Sequence, residues 1–198
     1  LHLENIALPP PGPGEVRVRH TAIGVNFIDV YHRSGLYPVA LPSGLGIEAA
    51  GIVETLGEGV RGLRTGMRVG YAPGPVGSYA EAANIPAGRL VRLPGNVSDE
   101  TAAAALLKGM TAQYLLTRTF AVNPGDTILW HAAAGGVGLT ACQWAKHLGA
   151  RVIGTCSADN VAYVRSLGAD EVVDYKKQRF EDVAKDIDVV LDLVAGEV

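Results

Sequence analysis

With 198 residues the chain can hold one large domain or two small ones, and 48% hydrophobic with 19% charged residues is the composition of a globular protein with a real core. A net charge of −3 and a pI near 5.9 leave no electrostatic footprint for nucleic acid or an anionic membrane surface. No apolar run approaches the ~20 residues of a membrane span, residues 1–5 lack the pattern of a signal peptide, and the two cysteines, Cys142 and Cys156, are too few for a disulfide scaffold and read as buried free thiols in a cytoplasmic or organelle-matrix protein.

Up to about residue 98 the chain alternates short β-branched runs with Gly/Pro punctuation. Residues 9–14, Pro-Pro-Pro-Gly-Pro-Gly, are extended or turn-forming. Residues 15–20 alternate apolar and polar side chains with period two, as a strand with one wet face does. Further strands are expected over residues 49–56, 67–69 and 90–94, so this half reads as a strand-rich, barrel-like domain. Asn26, Asp29 and Tyr31 are placed on a loop, with Tyr37 nearby.

The texture changes after Ser98, an expected N-cap followed by Asp99 and Glu100. An alanine- and leucine-rich helix starts there, is expected to break at Gly109 and to resume towards Thr119. From Gly125 onward strands and helices alternate: 127–130, 136–148, 151–155, 159–167, 171–173 and 188–192. That order predicts a parallel sheet with helical crossovers, and the domains are set at 1–98 and 99–198.

The most informative stretch is Thr127-Ile128-Leu129-Trp130-His131-Ala132-Ala133-Ala134-Gly135-Gly136-Val137-Gly138. An apolar strand enters a turn of small residues that opens into a helix with an apolar stripe at Val137, Ala141, Trp144, Ala145 and Leu148, and a second strand follows. This β-α-β context is what a dinucleotide fingerprint requires, because small residues let the backbone approach a pyrophosphate while the helix N-terminus offers free N–H groups. The fingerprint is imperfect: Ala133 stands where the first glycine would be, and Gly135 and Gly138 fill the other two places. No acidic residue ends the second strand at Thr155-Cys156-Ser157, where NAD enzymes hold a ribose hydroxyl. Asp159, slightly later, reads as a helix N-cap or first-turn residue.

Several motifs recur in a familiar order. They are Pro13-Gly14-Glu15-Val16, Gly24-Val25-Asn26-Phe27-Ile28-Asp29-Val30-Tyr31, Arg33-Ser34-Gly35-Leu36-Tyr37, and Gly44-Leu45-Gly46-Ile47-Glu48-Ala49-Ala50-Gly51. Then come Leu107-Lys108-Gly109-Met110-Thr111-Ala112 with Tyr114, the turn from His131 to Gly138, and Gly168-Ala169-Asp170-Glu171-Val172-Val173-Asp174-Tyr175. As an ordered set they resemble the zinc-independent (zeta-crystallin-like) quinone oxidoreductases of the medium-chain dehydrogenase/reductase superfamily. The resemblance implies an α/β chain with a GroES-like, β-rich catalytic domain followed by a Rossmann-type nucleotide-binding domain. It also implies that the chain, which starts at Leu1 and stops after about four strands of the second sheet, is a truncated piece of a longer, homodimeric protein. An apolar outer edge on that fourth strand is expected to make the span prone to aggregate or dependent on a partner chain to cover the edge.

By the same resemblance the cofactor is NADPH and the substrate a quinone or conjugated enone. Gly135, Gly136, Val137 and Gly138 cradle the pyrophosphate, Ser157 and Tyr175 meet the 2′-phosphate, and Asn26 and Tyr31 face the nicotinamide and the substrate. Lys108, Thr111 and Tyr114 mark a helix start beside the site, with Thr111 and Tyr114 three apart on one face. Lys108 either orients Asn26 or polarises a carbonyl. One residue departs from the pattern: Val161 replaces the usual lysine four residues after the serine, which weakens the phosphate contact and leaves Arg165 as a substitute. Zinc-dependent relatives carry ligands where Asn26 and Ile47 stand here, and neither residue can replace them, so no metal is expected. Glu48 is read as structural and His131 as packed. The rival readings are a non-catalytic nucleotide-binding protein, crystallin-like or vesicle-associated, and an enoyl reductase domain of a polyketide synthase.

Overall fold

The structure, a computed structural model, describes residues 1–194 and separates into two compact units, Leu1–Leu107 and Lys108–Val198. The first is built on an antiparallel sheet of five strands: β1 (Glu15–Gly24), β2 (Glu48–Leu56), β3 (Arg68–Tyr71), β4 (Ala82–Pro86) and β5 (Val91–Arg92), in the order β4-β1-β2-β3-β5. Along β1 the period-two reading holds, with Val16 and Val18 fully buried beside Ala49, Val53, Val69, Tyr71 and Ile85. The β1–β2 register slips between His20 and Ala22. At that point Gly51 crosses so close to the Arg19 carbonyl that a Cβ would lie 2.9 Å from the carbonyl carbon.

Two elements of this unit depart from the sequence-based expectation. Strand β4, Ala-Ala-Asn-Ile-Pro, carries little β-propensity and was not expected; it is an edge strand, where its terminal proline is tolerated. The residues placed on a loop form a helix instead, α1 (Phe27–Ser34), with Asn26 as its N-cap and Gly35 in the left-handed conformation (φ 80°) closing it. The helix hides from a periodicity search because its pattern is inverted. Phe27 is 71% exposed while Asp29 is buried.

Helix α2 (Asp99–Tyr114) begins in the first unit and ends in the second. Ser98 caps it as expected, its hydroxyl accepting the Thr101 N–H at 3.1 Å. Asp99 in the first turn takes the Arg68 guanidinium at 2.6 and 2.8 Å and the Thr21 hydroxyl at 2.6 Å, joining the helix start to β1 and β3. The break expected at Gly109 does not occur. Helix continues through it, because a glycine with open space around it costs a helix only about 1 kcal/mol, and a single π turn, Leu115–Thr119, ends the segment.

The second unit is the parallel sheet with crossovers. Its strands β6 (Thr127–Trp130), β7 (Arg151–Cys156), β8 (Glu171–Asp174) and β9 (Val189–Leu191) run in the order β8-β7-β6-β9. Helices α3 (Gly136–His147), α4 (Val161–Ser166) and α5 (Phe180–Val183) connect them, with a 3₁₀ turn, Ala158–Asn160, before α4. All four residues of β6 are buried, as a central parallel strand requires. The chain builds outward from β6 to β7 and β8, then returns to the other side at β9. The order therefore reverses beside β6, and in open α/β sheets ligands bind at such a switch point, off the carboxyl ends of the strands.

Candidate functional site

In the first unit the site begins at Gly24. A Cβ there would lie 2.6 Å from the Glu48 carboxyl carbon and closer still to the Ala103 carbonyl oxygen, so only glycine leaves room for that buried acid. Glu48 is fully buried at the start of β2. It accepts the Asn26 Nδ2 amide hydrogen at 2.7 Å and the Leu107 backbone N–H at 2.7 Å, and its own backbone N–H donates to Ser78 Oγ at 3.3 Å. Asn26, 9% exposed, donates its backbone N–H to Asp29 Oδ2 at 2.9 Å, and Tyr79 donates its hydroxyl to the same oxygen at 2.9 Å. Burial and the Asp29 contact push the Tyr79 phenol up to about 12, so it stays a donor.

Tyr31 sits on the opposite side of α1, in an aromatic group. Its ring meets Phe27 edge-on at 5.2 Å and Tyr37 at 5.1 Å, and its carbonyl accepts the Tyr37 N–H at 3.1 Å. Tyr37 is thus held beside Tyr31 by backbone and ring together. A separate groove of ≈ 580 Å³ runs along the later half of β1, lined by His20, Ile23, Val25 and Tyr79; neither Asn26 nor Tyr31 lines it.

In the second unit the glycine turn lies at the carboxyl end of β6, at the switch point. Ala132 takes the left-handed conformation, φ 54°, and its carbonyl accepts the Gly135 N–H at 2.8 Å. Gly135 is the N-cap of α3. Gly138, buried in the first turn of that helix, passes so near the preceding strand end that a Cβ would lie 2.6 Å from the Ala132 oxygen and 2.7 Å from the Ala133 oxygen. The departure at Ala133 has a structural counterpart on the next strand. Its methyl fills space left by Gly154 of β7, where a Cβ would come within 2.7 Å of it. The glycine missing from the turn is present across the sheet.

Gly136 has a different reason. A Cβ there would touch the Lys108 stem, 3.1 Å from Cδ and 3.2 Å from Cε, so Lys108 lies along the start of α3. Thr111 is partly buried and Tyr114 is 47% exposed, both in the last turns of α2. Ser157 follows β7 and accepts the Asn160 side-chain amide at 3.1 Å. Tyr175 follows β8, is 54% exposed, and donates its N–H to the Cys156 carbonyl at 3.3 Å. Ser157 and Tyr175 are thereby neighbours at the carboxyl edge of the sheet. Val161 starts α4, whose last turn carries Arg165.

Some family-like motif residues are structural. Asp170 accepts the Lys146 ammonium at 2.6 Å and the Val152 N–H at 2.8 Å, tying α3 to β7. His131 is buried, pairs with Thr155 Oγ1 at 3.1 Å and meets Phe180 edge-on. Cys142 and Cys156 are free and buried, and burial raises the Cys142 thiol to about 12, which keeps it unreactive. Glu48, read from the sequence as structural, and Asp29, placed there on a loop, are the two acids that hold Asn26. The available signal was a lone acid inside an apolar stretch, since a buried charge must have partners.

Both halves of the chain have counterparts among known proteins. Residues 12–95 match the family model of the alcohol dehydrogenase GroES-like domain and residues 136–198 that of zinc-binding dehydrogenases. A quinone oxidoreductase of Pseudomonas aeruginosa is 53% identical over 189 residues, 94% of this chain and 56% of its own. A 2-haloacrylate reductase of Burkholderia is 44% identical, over 98% of this chain and 62% of its own. Among solved structures, the Escherichia coli quinone oxidoreductase complexed with NADPH superimposes with a TM-score of 0.89 at 47% identity, covering 91% of this chain and 56% of that one. The chain thus spans a little over half the length of these relatives.

Proposed function

We propose, for a chain that belongs to the quinone oxidoreductases of the medium-chain dehydrogenase/reductase superfamily, that the protein reduces a quinone or conjugated enone with NADPH. The observation that carries this reading is the turn at the switch point. Gly135 caps α3 with no side chain over the first N–H groups of that helix, which leaves them to an anionic pyrophosphate, and Gly138 has no Cβ to push the helix start off the strand end. A bound nicotinamide supplies the hydride, and the protein supplies position and a water-poor cleft. Gly135, Gly136, Val137 and Gly138 hold the pyrophosphate, and Ser157 with Tyr175 receives the 2′-phosphate. Thr111 and Tyr114 flank the cofactor, Asn26 and Tyr31 meet the nicotinamide and substrate, and Lys108 orients Asn26 or polarises the substrate carbonyl.

The same proposal assigns residues 1–98 to the GroES-like domain and 99–198 to the nucleotide-binding domain, with a homodimeric, cytoplasmic, zinc-independent full-length protein. No helix among the described residues is long and apolar enough to cross a membrane. The test is turnover of the full-length protein with NADPH against a panel of quinones and enones, alongside titration with NADPH and NADH. NADPH is expected to bind more tightly, by about 1–3 kcal/mol at most, because Val161 removes one charged contact. Tighter NADH binding overturns the cofactor assignment, and absence of turnover with the whole panel overturns the activity.

A further inference from the structure

We infer that Lys177, in the turn that follows β8, supplies the cationic contact to the cofactor's 2′-phosphate that Val161 withdraws from α4, on the reading of Ser157 and Tyr175 as the receivers of that phosphate. Val161 has no charge to offer and is packed against the apolar core of the second unit. Arg165 lies four residues further along α4, a displacement of about 6 Å. That displacement leads away from the carboxyl edge, because a crossover helix returns towards the amino end of the next strand. The turn after β8 stays at the edge. The Lys177 and Gln178 N–H groups both donate to the Asp174 carbonyl, at 2.9 and 3.1 Å, and the Lys176 N–H donates to Asp174 Oδ1 at 3.2 Å. Residues 174–178 are thereby wound into one tight turn on the end of β8, and Lys177 is kept there. Asp174 is paired in register with Cys156, so the turn stands one strand spacing, about 4.8 Å, from the residue that precedes Ser157. The two strand ends feel each other: burial and, after it, the Asp174 charge push the Cys156 thiol up.

The Asp174 carboxylate makes a cation necessary at this place. It is 9% exposed, its Oδ2 accepts no hydrogen bond, and the Lys177 ammonium stands 3.4 Å from that oxygen as its counter-ion. Left alone, an acid at the carboxyl edge would favour a ribose hydroxyl and repel a phosphate. Lys177 removes that repulsion and adds an attraction. An ammonium carries three donors, so pairing with Asp174 leaves others for a charge-assisted bond to a phosphate oxygen. Its side chain is 76% exposed and can turn to a ligand without disturbing the fold.

Titration of the full-length protein with NADPH and with NADH, followed by nicotinamide fluorescence, tests this. Lys177→Gln is expected to weaken NADPH binding about tenfold, the size of a lost hydrogen bond to a charged group, while NADH binding and the melting temperature stay close to wild type. The loss is expected to shrink as salt is raised, as it must for an exposed ion pair. Lys176→Gln removes the same charge one residue earlier and is expected to change NADPH binding by less than about twofold, a screened field effect without a contact. Unchanged NADPH binding in Lys177→Gln, an equal loss in Lys176→Gln, or an equal loss of NADH binding each overturns the inference. A loss in Arg165→Gln with none in Lys177→Gln overturns it too and returns the contact to α4. A wild-type protein that binds NADH more tightly than NADPH overturns the cofactor reading itself, and the role of Lys177 with it.

Discussion

At Ala132 the backbone sits at φ 54°, a conformation that costs an L-residue roughly 1–2 kcal/mol. The strain aims the Ala132 carbonyl back at Gly135 and Gly138 and so shapes the turn before α3. Two substitutions six residues apart should have opposite effects. Ala132→Gly relieves the strain and is expected to leave stability unchanged or raise it by up to about 1 kcal/mol, the relief being partly offset by a more flexible unfolded chain. Gly138→Ala drives a methyl into two carbonyl oxygens and is expected to lower stability by about 1–3 kcal/mol and to weaken NADPH binding with it. Urea denaturation of both variants beside wild type checks the pair; a destabilised Ala132→Gly would show that the turn is not strained. A second residue-scale prediction concerns His20. Its Nδ1 donates to the Ala80 carbonyl at 2.7 Å and its Nε2 accepts the Tyr71 hydroxyl at 2.9 Å. Burial holds its pKa below the ordinary value, against the pull of the Ala80 bond. The unfolded chain therefore binds a proton at His20 before the folded one does. Stability from this site is complete above pH about 6.5, declines as the pH falls below that value, and levels off once the folded-state pKa is passed. His20→Asn, which cannot titrate, is expected to flatten the stability profile between pH 7 and pH 5; an equally steep profile refutes the assignment.

Helix α2 carries the candidate residues Lys108, Thr111 and Tyr114, and its entry is held by charge. Asp99 receives both Arg68 and Thr21; burial works against its ionised form, but the hydrogen bonds from Thr21 and Arg68 outweigh it and keep the carboxyl below the usual range. Asp99→Asn keeps the shape and loses the charge-assisted bonds, and thermal melts are expected to register a loss of about 1.5–3 kcal/mol; a loss within 0.5 kcal/mol, the scatter of about that size seen for ordinary surface changes, would mean the ion pair contributes little. Elements differ in how readable they were. Strand β1 showed itself because Val16 and Val18 alternate with charged neighbours, and β6 with α3 because a buried strand, a small-residue turn and an apolar stripe follow in order. Helix α1 was invisible because its inward residue is Asp29 and its outward one Phe27, the reverse of the pattern that signals a helix. Strand β4 was missed because its place is set by pairing with β1, from Glu15–Pro86 to Arg19–Ala82, which no local propensity records. The motifs singled out Asn26, Lys108 and the glycine turn as candidate residues, but they carried no information on hydrogen-bond direction. That is why the bonds Glu48 accepts from the Asn26 amide and the Leu107 N–H left no trace in the sequence.

For the whole molecule, the architecture of an antiparallel unit followed by a parallel one was legible from the change in texture near residue 98. The expectation that the protein holds no zinc rests on the residue types at two positions. Asn26 now has its amide committed to Glu48, and Ile47 is a buried apolar side chain. Among the described residues no group of three or more His, Cys, Asp or Glu side chains is arranged to hold a metal. On the residue types at positions 26 and 47, purified full-length protein is expected to carry no stoichiometric zinc by elemental analysis, and a chelator is expected to leave turnover unchanged; one zinc per chain would overturn the assignment.

The contact between Lys108 and Gly136 limits how this sequence can drift. The lysine stem occupies the space that a side chain at 136 would need. Because that stem is flexible, a methyl there would not break the fold; it would displace the ammonium group that the stem carries. A change at position 136 is therefore a change to Lys108 by proxy. In a library randomised at both positions, selected for activity, residues with a Cβ at 136 should be recovered only together with a new residue at 108, and the two should be inherited as a single unit.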